Sequence, residues 1–205
     1  MPRVQRKSVG RRFRRSVLFV FKHDAVAGLA AAETFEGVVH MGKRVRFGDR
    51  RDLVAGDRPL ATGRDGALRV LHPPGTARDS RGNDASLVLL LDYGATSLLL
   101  TGDLEARAEA SLLRRTGDPS ATIVKVPHHG SRTSSTQALL AAARPGVAVA
   151  MLGADNRFGF PAPEVRARYR SVGAAWRQTD RDGAVAIVSD GQLERVTTCR
   201  ASAER

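Results

Sequence analysis

The sequence predicts an α/β layered domain, and three patterns support this prediction. From residue 86 onwards, short apolar runs alternate with amphipathic segments, as strands alternate with helices in α/β proteins. Two of the apolar runs are nearly continuous in Leu and Val, which is typical of strands that are covered on both faces. Polar clusters rich in Gly, Asp and His follow three of the runs, where α/β folds usually place their sites.

The first third of the chain is predicted to contain short strands and one helix. Residues 16–21 are apolar and β-rich, which predicts a strand, and residues 25–35 predict a helix that ends before Gly37. Six glycines between positions 37 and 66 indicate short strands and turns. Residues 68–71 then predict a further short strand.

The remainder of the chain has clearer boundaries. Residues 86–93 and 96–101 predict a hairpin whose turn contains Gly94. A helix is expected over 104–115, because apolar residues recur there at intervals of four. The other expected elements are, in order, strand 121–126, helix 136–143, strand 147–152, helix 163–172, strand 174–178 and a hairpin of 185–188 with 193–197.

Charge divides the chain into a tail and a domain. The formal net charge is +12, and residues 1–15 contain seven basic residues and no acidic one, which leaves +5 for the rest. We therefore expect a basic, disordered tail over 1–15 and one domain over 16–200. A basic tail can attract nucleic acid or anionic lipid, or it can remain a solvated arm.

Cysteine content and hydropathy limit the other classes. Cys199 is the single cysteine, so an internal disulfide is excluded, and we expect no disulfide-linked partner. No apolar run approaches the roughly 20 residues that span a bilayer, which predicts a soluble chain.

Three polar clusters follow predicted strands and are the candidates for chemistry. Asp103, in Thr-Gly-Asp, could ligate a metal ion or cap the following helix. His128 and His129 lie in Pro-His-His-Gly-Ser, where adjacent imidazoles suit metal binding or acid–base chemistry. The third cluster, residues 153–161, could hold a phosphate or form a structural loop.

These clusters together resemble one family. The stretch from Asn83 to Gly183 is similar to the last domain of ComEC-type competence proteins, and order and spacing both agree. The matching runs are Asn-Asp-Ala-Ser-Leu-Val at 83–88, Leu-Thr-Gly-Asp at 100–103, Lys-Val-Pro-His-His-Gly-Ser at 125–131, Gly-Ala-Asp-Asn-Arg at 153–157 and Thr-Asp-Arg-Asp-Gly-Ala at 179–184.

The resemblance implies a metallo-β-lactamase-like αββα sandwich. The family domain normally has further strands before its His motif, and this sequence begins almost at that motif, so we expect part of the first sheet to be absent. It implies a metal centre, zinc or manganese, that activates water to hydrolyse phosphodiesters of DNA. The implied partners are DNA and a membrane-embedded DNA-uptake channel, because the family domain is normally attached to a bacterial membrane protein. Asp103 and His129 would be catalytic, and the implied metal ligands are Asp24, Asp103, His128 and His129. The implied substrate-binding residues are Ser131, Asn156 and Arg157.

The sequence departs from the family pattern at the metal ligands. The signature His-x-His-x-Asp-His aligns with Val20 to Ala25, where only Asp24 is retained in register. A later Gly-His-Pro-His-Pro pattern is replaced by Gly-Phe-Pro-Ala-Pro at 159–163. His72 is a further candidate ligand, although a His-Pro pair at a strand end is more often structural. Three functions remain open: a metal-dependent phosphodiesterase with an impaired site, an inactive DNA-binding or accessory module of the same fold, and a hydrolase of another substrate.

Overall fold

The computed structural model describes residues 17–21, 26–30, 36–39, 61–62, 66–74, 82–116 and 118–199. Within these ranges there are twelve strands. They are β1 (Val17–Phe21), β2 (Val26–Ala30), β3 (Glu36–Val39), β4 (Ala61–Thr62), β5 (Gly66–His72), β6 (Val88–Tyr93), β7 (Thr96–Leu100), β8 (Ile123–Lys125), β9 (Val147–Ala150), β10 (Ala175–Gln178), β11 (Ala184–Ser189) and β12 (Glu194–Cys199).

The helices of these ranges all lie in the second half of the chain. They are α1 (Ala106–Thr116), α2 (Gln137–Ala143), α3 (Pro163–Ser171) and the single turn α4 (Thr179–Asp182), with 3₁₀ turns at Gly82–Ala85 and Pro127–Gly130. Within the described part of the chain, no helix is long and apolar enough to cross a membrane. Cys199, at the end of β12, is exposed.

The strands form two sheets. One has the order β12-β11-β1-β2-β3 and the other has the order β10-β9-β8-β7-β6-β5-β4. The predicted hairpins are confirmed, because β6 pairs antiparallel with β7 and β11 pairs antiparallel with β12. The α/β prediction is confirmed at this level.

Three apolar clusters hold the layers together. The first joins the two sheets and contains Phe21 and Ile187 from one sheet and Leu98 from the other. Two further clusters lie on the other face of the seven-stranded sheet, where α1, α2 and α3 bury Leu112 and Tyr169. Both faces of β6 and β7 are therefore covered, which explains their nearly continuous Leu and Val. The described residues thus form three layers, which are the five-stranded sheet, the seven-stranded sheet and the layer of α1, α2 and α3. The second helical layer of the αββα sandwich stays a prediction, and so does the absence of part of its first sheet.

The predicted helix over 25–35 is wrong. β2 occupies Val26–Ala30 and pairs antiparallel with β1, with Val20 opposite Ala27 and Phe21 opposite Val26. The ladder satisfies the backbone hydrogen bonds of this segment. Its central Gly28 has little helix propensity, so pairing in the sheet decides the conformation.

Parallel pairing brings three loops to one edge of the seven-stranded sheet. β7 pairs parallel with β8, β8 with β9, and β9 with β10. The loops that begin at 101, 126 and 151 therefore all leave the same edge, and these loops carry the three polar clusters of the sequence.

Glu109 connects α1 to the loop that follows the two adjacent histidines. Its carboxylate is fully buried and accepts the backbone N–H groups of Ser135, at 2.6 Å, and Thr136, at 2.8 Å. Burial raises the pKa of Glu109, whereas the N–H donors act in the opposite direction. Thr136 in turn caps α2 by accepting the N–H of Leu139. One carboxylate thus fixes the backbone at residues 135 and 136, where the loop enters α2.

Glu109→Gln should lower the free energy of unfolding by about 1–3 kcal/mol. A carboxamide offers one acceptor oxygen, so its NH₂ group would face a buried N–H. Urea denaturation measures the loss. Glu164→Gln is the matched control: it breaks an exposed ion pair with Arg132 and should change stability by less than about 0.5 kcal/mol. Equal effects of the two substitutions would contradict the role of Glu109.

Candidate metal and phosphate site

The ends of β7 and β8 bring a carboxylate and an imidazole together. Asp103 lies three residues beyond β7, and His129 lies in the turn that follows β8. The Oδ1 atom of Asp103 is 3.5 Å from the Nε2 atom of His129. Asp103 does not cap α1, which begins three residues later, at Ala106.

The orientation of His129 is fixed by a backbone carbonyl. Its Nδ1 donates to the oxygen of Met151, at 2.6 Å, so Nε2 carries the lone pair of a neutral ring. Burial, followed by the charge of Lys125, lowers the pKa of His129, which favours that neutral form. Asp103 Oδ1 is itself buried and has no hydrogen-bond partner among the described residues. Two electron-pair donors therefore face each other.

A buried ammonium group neutralises part of this charge. Lys125 is the last residue of β8, and its side chain is fully buried. Its Nζ donates to the carbonyl oxygen of Gly102, at 2.7 Å, and lies 3.7 Å from Asp103 Oδ1. Burial lowers the pKa of Lys125 to about 8, although Asp103 acts against this shift.

His128 faces a different carboxylate from His129. Its Nδ1 is 3.0 Å from Oε1 of Glu105 but makes no hydrogen bond among the described residues. That oxygen accepts from Asn83, at 3.2 Å, and from Thr133, at 3.1 Å. The two adjacent imidazoles thus have separate partners, which distinguishes roles that the sequence left open.

The backbone of the histidine turn is in an unusual conformation. His128 and His129 have φ values of 45° and 55°, in the left-handed region that ordinary residues avoid at a cost of about 1–3 kcal/mol each. Gly130 follows with φ of 87°, and a Cβ there would lie 2.6 Å from Cβ of Pro161. The N–H of Ala162 also donates to Gly130 O, at 2.8 Å. The third loop is therefore docked directly onto this turn.

The candidate substrate-binding residues differ in what they contact. Ser131 is buried, and its hydroxyl lies 3.0 Å from that of Thr133. Asn156 shapes the third loop, because its amide donates to Phe160 O and accepts from Phe158 N. Arg157 is exposed on the same loop.

Two candidate ligands are not part of this arrangement as it is described. Asp24 lies outside the described residues. His72 is buried at the end of β5, where its Nε2 donates to Asp84 O at 2.8 Å, and burial lowers its pKa. Across the described ranges, no group of three or more His, Cys, Asp or Glu side chains is placed to hold a metal ion.

The sequence reasoning missed Lys125 and Glu105. Lys125 was a detectable signal, because a lysine within an apolar strand is rarely buried without a partner. Glu105 follows Asp103 by two residues and carried no signal of its own.

Comparison with known proteins relates the chain to competence proteins. No family model matches it. It is 36% identical over 130 residues to the uncharacterized protein YcaI of Escherichia coli, over 63% of this chain and 17% of that protein. It is 36% identical over 129 residues to Recombination protein 2 of Haemophilus influenzae, over 61% of this chain and 16% of that protein. It is 35% identical over 113 residues to Competence protein ComA of Neisseria gonorrhoeae, over 55% of this chain and 16% of that protein. The chain spans about a sixth of the length of these curated relatives.

The pKa of Lys125 predicts how stability depends on pH. The folded value is about 8 and the ordinary value is 10.5, so between these limits the unfolded chain binds more protons than the folded chain. The contribution of Lys125 to stability must therefore rise with pH across this interval, by about 2–3 kcal/mol. Denaturation of the protein and of Lys125→Met, both in EDTA, measures the difference. The variant should lack this rise, and parallel curves would show that the ammonium is not buried.

Proposed function

We propose that the chain is a hydrolase domain of metallo-β-lactamase-like fold that holds one metal ion and cleaves phosphodiesters of DNA slowly. The facing lone pairs of Asp103 Oδ1 and His129 Nε2, 3.5 Å apart, carry this proposal. The similarity to competence proteins supports DNA as the substrate class, and the formal net charge of +12 suits a polyanion.

The two side chains fit one ion. Zinc–nitrogen and zinc–oxygen bonds of about 2.1 Å at a tetrahedral angle place two ligand atoms roughly 3.4 Å apart. The bond from His129 Nδ1 to Met151 O is the kind of outer contact that fixes a ligating histidine. Zinc and manganese both accept this mixed donor set. Asp24 is the candidate for a further ligand and lies outside the described residues.

The protein's own groups would position the phosphate. A bound ion of this kind lowers the pKa of a water ligand and polarises a phosphoryl oxygen. The backbone at Asp103 is held by Ser86, whose Oγ accepts the Asp103 N–H at 3.1 Å, and this contact positions the carboxylate. Lys125 supplies positive charge behind Asp103, and Arg157 supplies it at the exposed loop. Both charges favour an anionic substrate.

A second function rests on Lys125. Its ammonium lies 3.7 Å from the carboxylate oxygen that an ion would use and opposes a cation there. If this charge prevents metal binding, the chain is an inactive DNA-binding or accessory module of the same fold.

Metal analysis distinguishes the two proposed functions, and it also shows which of the two histidines binds the ion. After loading with zinc or manganese, the protein should hold at most one equivalent, measured by inductively coupled plasma mass spectrometry. His129→Ala should lose the ion and the slow hydrolysis of bis(p-nitrophenyl) phosphate. His128→Ala should keep most of the metal, because that ring faces Glu105.

Two results would contradict the proposal. Absence of metal from the unmodified protein at millimolar ion concentration would favour the inactive module. Two equivalents with rapid turnover would mean that residues 20–25 supply ligands that the sequence alignment judged missing.

A further inference from the structure

The third loop presents an aromatic ring to solvent beside the site. Phe158 is 73% exposed, although a large apolar side chain on a loop gains nothing from contact with water. The loop around it is built rather than loose, because Asn156 bonds to the backbone of both Phe158 and Phe160. The exposure of the ring is therefore a property of an ordered turn.

A series of rings connects Phe158 to the site. Phe158 stacks on Phe160, with centroids 5.7 Å apart and an interplanar angle of 20°. Phe160 meets His128 edge-on, also at 5.7 Å. His128 is adjacent to His129, which faces Asp103. The exposed ring of Phe158 thus ends a series of ring contacts that begins at His128, beside the candidate ligand His129.

We propose that Phe158, backed by Phe160, is a stacking subsite for an unpaired nucleobase. The inference rests on the proposed function for its phosphate site and names single-stranded nucleic acid as the ligand. Every nucleobase has a flat π face that stacks on an aromatic ring, and Arg157, which is exposed and precedes Phe158 in the sequence, supplies a positive charge for the neighbouring phosphate. A base inside a duplex cannot use this ring, because both of its faces are already stacked on neighbouring base pairs.

A lipid surface fits these observations less well. Membrane-bound faces gather several apolar side chains with a basic rim. The other exposed large apolar residues of the described ranges are Val188 and Leu193, on the β11–β12 hairpin. That hairpin contacts the start of β7, where Ala95 N donates to Gly191 O at 2.7 Å, whereas Asp103 follows the end of β7. Among the described residues, Phe158 therefore lies at the site edge with Phe160 behind it and apart from the other exposed large apolar side chains.

Binding of short oligonucleotides by the full chain tests the subsite. Fluorescence anisotropy in EDTA compares a ten-nucleotide thymidine strand with an abasic strand of equal length and charge. Phe158→Ala should weaken binding of the thymidine strand by about 5- to 100-fold. Both proteins should bind the abasic strand equally, since it offers phosphates without bases. Phe158→Trp should restore thymidine binding. Leu193→Ala is the matched control, because it removes a side chain of similar exposure, 74%, at the opposite end of β7.

Each outcome decides for or against the subsite. Unchanged thymidine binding in Phe158→Ala, an equal loss with the abasic strand, or no thymidine binding by the unmodified protein would overturn it. Loss of binding to neutral lipid vesicles, with thymidine binding intact, would assign the ring to a membrane and also overturn it. Binding is measured in EDTA and hydrolysis separately on protein loaded with zinc or manganese, so Phe158-dependent binding together with no hydrolysis by the metal-loaded protein would leave the subsite standing while the proposed hydrolase fails. Metal-dependent hydrolysis together with Phe158-independent binding would support the proposed hydrolase and overturn the subsite.

Discussion

Three neighbouring strands that run in the same direction determine where this chain can do chemistry. Because β7, β8 and β9 are parallel, the loops that follow them leave the same edge of the sheet, and neighbouring loops contact each other there. The carbonyl of Met151, just beyond β9, receives the Nδ1–H of His129, just beyond β8. That ring then faces the carboxylate that follows β7. Each contact spans two strands, so the site exists only when the parallel ladder is formed.

Charge at this edge is arranged at a cost to stability. Lys125 is an ammonium withdrawn from water, and its pKa of about 8 records the penalty. Two histidines also hold left-handed backbone that glycine would adopt more easily. The surrounding structure offsets these costs through Glu109, the carbonyl of Gly102 and the apolar clusters on both faces of the sheet. Strain and buried charge concentrated at one loop edge are typical of functional sites.

Sequence periodicity predicted the second half of the fold well, because its strands are covered on both faces and its helices have one apolar stripe. It failed at residues 26–30 of the predicted helix, where pairing with β1 overrides local preference. The positions of the motifs after consecutive strands allowed the shared edge of Asp103 and His129 to be predicted, because β7, β8 and β9 are neighbours in the sheet in the order of the chain. Separate partners for His128 and His129 could not be predicted, because they depend on side-chain direction at left-handed residues. The burial of Lys125 beneath Asp103 likewise depends on tertiary packing.

His129 presents an unprotonated Nε2 to Asp103, and we propose that this pair binds a cation. Nitrogen-15 NMR of the imidazole rings during a zinc titration tests it most directly. We expect His129 to be the Nδ1–H tautomer before zinc is added, because Met151 O accepts that proton. On zinc binding its Nε2 resonance should shift, while the resonances of His128 should change little. A proton on Nε2 of His129 in the neutral ring, or a zinc shift confined to His128, would contradict it.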